Sequence, residues 1–184
     1  MIIASLTIPR AGWAGTDHGL NCMSLYLHLV PLAGFAGLML IAAVEDLRRL
    51  VIPNAVVMGL CTLWPLQLAS APDISLSGSA AAALCATAVF AAGALLFSRG
   101  LMGGGDVKLL TAATLWAGPD LTPALLIGTA VLGGLLTLAL LSPLAIRAVF
   151  APAAAAGAAK RTPVPYGVAI AAAALIVTIP PNLS

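Results

Sequence analysis

The sequence predicts an all-α membrane protein, a bundle of about six transmembrane helices with some short or kinked. Three observations predict it: the composition, the spacing of apolar runs between turn signals, and the gathering of basic residues into alternate connections. Of the 184 residues 61% are hydrophobic and only 8% charged, with a mean hydropathy of +1.10. A soluble domain carries roughly 25% charged residues, so an ordinary soluble fold is excluded and membrane lipid is the expected surrounding. The net charge of +2 is small and its basic residues are dispersed, so no nucleic-acid partner is expected. Cys22, Cys61 and Cys85 stand apart without a C-x-x-C pair, which suggests apolar packing rather than a zinc knuckle or a disulfide framework.

Residues 1–24 read as an N-terminal tail without fixed structure, and residues 25–184 as one membrane-embedded domain. Pro9 and Arg10 interrupt the first apolar residues early, which argues against a cleaved signal peptide. Met23, just before the first long apolar run, is a second candidate start. Segment one runs from about Leu25 to Val44, enough to cross a hydrocarbon core of ~30 Å at ~1.5 Å per residue. Pro31, Gly34 and Gly37 within it are residues that membrane helices tolerate. His28, in its first turn, reads as an interfacial histidine rather than a ligand.

Pro53 keeps Ile52 extended, so the chain turns after Arg49. Segment two follows over about Ala55 to Ala71 with a kink at Pro65, a turn over Pro72-Asp73-Ile74-Ser75 comes next, and segment three covers about Ser79 to Ser98. Segment four, from Gly103 to Ala117, is a helix of only about 22 Å at ~1.5 Å per residue, and Gly118-Pro119-Asp120 ends it. Segment five spans about Leu121 to Ile146, a Pro/Ala-rich surface loop covers Phe150 to Thr162, and segment six runs from about Pro165 to Ile179 before Pro180-Pro181. Arg48, Arg49, Arg99, Lys108, Arg147, Lys160 and Arg161 all fall in the one-to-two, three-to-four or five-to-six connections, opposite Asp73 and Asp120. The positive-inside rule makes those basic connections cytoplasmic. Arg10 alone disagrees.

The candidate chemistry lies on that basic side. Arg99-Gly100-Leu101-Met102-Gly103-Gly104-Gly105-Asp106-Val107-Lys108 sets an acid inside a membrane sequence, and an acid there is a functional-site hypothesis by default. Three glycines in a row allow another backbone to approach closely. The orientation puts Asp46, at the exit of segment one, on the same face as Asp106. Two carboxylates that share a site titrate as a pair, one staying protonated while the other serves as base toward a water. The competing structural reading has Asp106 capping its helix and Asp46 pairing with Arg48 or Arg49. Glu45 is the poorer partner, because neighbouring helical residues point roughly 100° apart.

Asp46 with Arg48 and Ile52-Pro53-Asn54, then Gly103-Gly104-Gly105-Asp106-Val107-Lys108, then Pro165-Tyr166-Gly167, together resemble the type IV prepilin peptidase family. The resemblance implies an intramembrane aspartic endopeptidase of the prokaryotic inner membrane, multi-pass, with Asp46 and Asp106 catalytic at the cytoplasmic face. It implies a prepilin or pseudopilin substrate, whose short leader is removed, and calls for no metal or cofactor. Gly103, Gly104 and Gly105 are the expected floor for the extended leader, with Lys108 and Tyr166 as further candidate substrate contacts. Larger family members carry an N-terminal region with zinc-binding cysteines and methyltransferase activity. The short tail here lacks C-x-x-C, so the resemblance is to peptidase-only members such as those of tight-adherence pili, and N-methylation is not expected. The related archaeal preflagellin peptidases are equally compact. Two other functions fit the same acids: a small ion- or proton-coupled transporter, or a non-catalytic assembly subunit.

Overall fold

The computed structural model describes the backbone of residues 17–70, 76–150 and 164–179, with side chains over 29–69, 76–140 and 164–179. Every element among the described residues is helical: α1 (Asp17–Arg49), α2 (Asn54–Ser70), α3 (Leu76–Ser98), α4 (Gly104–Phe150) and α5 (Tyr166–Thr178). Residues 1–16 of the expected tail, the turn at Pro72 to Ser75, the loop with Lys160 and Arg161, and Pro180-Pro181 lie outside the described residues, as do the side chains of Cys22, His28 and Arg147.

Two boundaries differ from expectation. The first helix begins at Asp17 rather than near Leu25, so polar residues read as tail extend a helix whose apolar stretch starts later. The expected fourth and fifth segments form one element, α4, broken at Gly118, where φ 68 and ψ −179 are not helical. Only glycine adopts that conformation without strain, and no separate loop is needed.

Contacts on either side of the break show that the chain reverses there. Along the first arm, Lys108 bonds Asn54 at the start of α2, while Trp116 reaches Leu60 deeper in the same helix. Along the second arm, Gly128 faces Ala173 of α5, whereas the later Gly133 and Thr137 face Tyr166 at its start. Gly118 therefore sits at the far end, and both arms lead to the end where α5 begins.

The protein is a membrane protein. Leu29–Arg49, Leu76–Ser98 and Gly104–Leu140 are three helices long and apolar enough to cross a membrane, whereas α2 and α5 are shorter apolar helices. Against the expected six crossings, the described residues show five helices, three of them of spanning length. Leu76, Leu84, Ile127 and Leu138 stand exposed on the outside, as side chains that face lipid would. The interior is filled by Phe35, Met39, Leu60, Leu109, Leu125 and Ile170. Phe35 stacks on Trp116 with centroids 4.7 Å apart, and the Trp116 Nε1–H donates to the Leu60 carbonyl at 3.0 Å. This three-helix knot of α1, α2 and the first arm of α4 lies beneath the polar end of the bundle.

Candidate active site

Helix termini build the site. The last turn of α1, the starts of α2 and α4, and the chain between them surround a cavity of about 410 Å³, lined by Asp46, Leu50, Ile52, Asn54, Asp106 and Lys108 with all three glycines. The structure thus brings together both predicted acids and four of the five other predicted site residues. Tyr166 is placed apart: its ring lies against Gly133 and its hydroxyl is 3.3 Å from the Thr137 Oγ1, outside the cavity lining.

Asp46 is only 5% exposed, and a buried carboxylate needs partners. Among the described residues it pairs with no arginine. Arg49 bridges Glu45 one turn away at 3.3 Å, and Asp46 Oδ2 instead accepts the Gly167 backbone N–H at 2.7 Å, across 121 residues of sequence. That amide belongs to the first turn of α5, whose N-cap, Pro165, offers no side-chain bond. An orphan donor at a helix start and a carboxylate from another helix satisfy each other.

Asp106 occupies the third position of α4. Its carboxylate turns back toward the amide of Gly103, the residue before the helix, in the manner of a capping box. The expected capping contact is therefore present, and Asp106 at the same time lines the cavity that Asp46 lines.

The glycines divide by what they face. A Cβ on Gly103 would stand 2.7 Å from Asp106 Oδ2, one on Gly105 3.2 Å from the Cβ of Ile52, and one on Gly104 3.3 Å from the ring of Phe97. They therefore permit close approach within the protein as well as lining the cavity. Lys108 is exposed and donates to Asn54 Oδ1 at 3.0 Å, joining α4 to α2 at the cavity mouth. Sequence reasoning missed Asn54 and Gly167 as site residues, although both stand in quoted motifs. Among the described residues no three His, Cys, Asp or Glu side chains converge as a metal site would require.

Apolar helices that deliver two carboxylates to one polar cavity define a membrane protein with an acidic site at the end of its bundle. The model of the type IV leader peptidase family matches residues 33–138, more than half of the chain and including both acids and the glycine run. The protein belongs to that family of proteases. No curated protein and no solved structure matches the chain.

Proposed function

We propose that the protein is an intramembrane aspartic endopeptidase that removes the short leader from prepilins or pseudopilins, using Asp46 and Asp106 to activate water. The observation that carries this reading is the shared cavity: two acids far apart in sequence line one open space at the end of the bundle. A carboxylate pair of this kind needs no further group for peptide hydrolysis. The ionised member takes a proton from water as the oxygen attacks the scissile carbonyl carbon, and the protonated member donates to the carbonyl oxygen. The C–N bond then breaks as a proton passes to the leaving amine.

The substrate's extended leader junction lies over Gly103, Gly104 and Gly105, with its hydrophobic helix among the helices of the peptidase. Lys108 reaches the leader from the cavity mouth. Arg48 and Arg49 at the end of α1, with Arg99 after α3, surround the same end of the bundle, which supports a cytoplasmic active site in the inner membrane.

The test is leader release. Detergent-purified protein is incubated with prepilins and pseudopilins of tight-adherence type, and the products are read by mass spectrometry. Cleavage at the junction between leader and hydrophobic helix is expected. An intact substrate throughout, with acid-dependent ion flux in proteoliposomes, would replace the peptidase with a transporter.

A further inference from the structure

We propose that the first turn of α5 is the positioning element for Asp46, with the Gly167 amide holding the carboxylate and the missing Cβ of Gly167 leaving it room. This rests on Asp46 being one of the catalytic acids. The side chain stands in the last turn of α1, where the helix presents carbonyl oxygens and a partial negative charge, so α1 offers a carboxylate no favourable contact. The start of α5 offers the opposite: unpaired amides and a partial positive charge.

Gly167 is the residue that lets the two meet. A Cβ there would stand 2.8 Å from Asp46 Oδ2, 2.9 Å from its Cγ and 3.0 Å from the Ile52 Cδ1. An alanine would keep the N–H and still push the carboxylate off it. The turn is held at the right height from outside the cavity, where the Tyr166 ring packs on Gly133 and its hydroxyl meets Thr137. Neither Gly167 nor Tyr166 lines the cavity. Both act on the reaction through Asp46 and not by touching substrate, which gives the Pro165-Tyr166-Gly167 motif a mechanical role.

The experiment uses the full chain in detergent with a cleavable prepilin, comparing wild type, Gly167→Ala, Gly167→Ala with Ile52→Val, and Tyr166→Ala. For Gly167→Ala, kcat is expected to fall about tenfold or more with KM within about twofold, as for loss of one bond to a charged group. Ile52→Val removes the Cδ1 that the new methyl also crowds, so it is expected not to restore kcat. Restoration by Ile52→Val would mean that the fault was packing, and would overturn the proposal. So would an unchanged kcat in Gly167→Ala. If Gly167→Ala does not fold, Tyr166→Ala carries the test: kcat falls with KM held, whereas an unchanged kcat or a rise in KM alone overturns it. Full activity in Asp46→Asn would sink the peptidase reading itself; loss in Asp46→Asn beside full activity in Gly167→Ala would sink only the positioning element.

Discussion

Replacing Gly103, Gly104 and Gly105 one at a time by alanine should damage cleavage in a set order. At Gly105 the new methyl meets the Cβ of Ile52 at 3.2 Å, an atom fixed to backbone that cannot swing aside. The start of α4 must therefore back away by a few tenths of an ångström. Alanine is the better helix former by at most about 1 kcal/mol, which offsets the crowding and leaves stability nearly unchanged. Activity is less forgiving. A displacement of 1 Å in a reacting group can cost roughly 100-fold, so a few tenths should cost about three- to tenfold.

At Gly103 the methyl falls 2.7 Å from Asp106 Oδ2 itself, and the carboxylate must rotate out of its cap, which should lose on the order of 100-fold. At Gly104 the neighbour is the edge of Phe97, a half-exposed ring free to tilt, and the loss should stay within about twofold. The assay is initial-rate leader cleavage at matched folded protein, with thermal midpoints in the same detergent. The reasoning is refuted if Gly104→Ala is the most damaging of the three, or if Gly103→Ala cleaves like wild type.

Other sites give simpler expectations. Trp116→Phe keeps a ring against Phe35 but removes the donor to the Leu60 carbonyl, and should lower stability by about 1 kcal/mol in denaturant titration. Leu50 closes α1 with φ 55 and a bond from its amide to the Asp46 carbonyl; Leu50→Gly should raise stability by roughly 1 kcal/mol by removing the left-handed penalty, read as a higher thermal midpoint. Lys108→Met breaks an exposed bond to Asn54, so its midpoint should move by no more than the equivalent of about 0.5 kcal/mol. If Lys108 reaches the leader as proposed, KM rises in the same variant.

The sequence was most legible where chemistry and membrane physics coincide. Apolar runs long enough for a bilayer gave the helices, and the turn signals at Pro53 and Gly118 fall where the structure ends or breaks one. Asp46 and Asp106 were readable because an acid in such a chain is conspicuous, and the cavity they share was an inference from topology alone. What could not be read is contact across the bundle. Nothing near Gly167 in the sequence points to Asp46, since the link is a backbone amide, which carries no residue signature. The internal faces of Gly104 and Gly105 are hidden for a related reason: a glycine looks the same whether it leaves space for a ligand or for Phe97 and Ile52. Gly118-Pro119-Asp120 reads as the end of segment four, whereas the structure breaks a single element at Gly118, because Pro119 and Asp120 beside it suit a turn and a helix start equally.

The most direct measurement is leader cleavage by Asp46→Asn and Asp106→Asn, each assayed alone beside wild type, with all three shown to be folded. Asparagine keeps the size and most hydrogen bonds of each side chain but cannot take up or release the proton. The account predicts that either substitution alone abolishes cleavage. Cleavage surviving in either would contradict it.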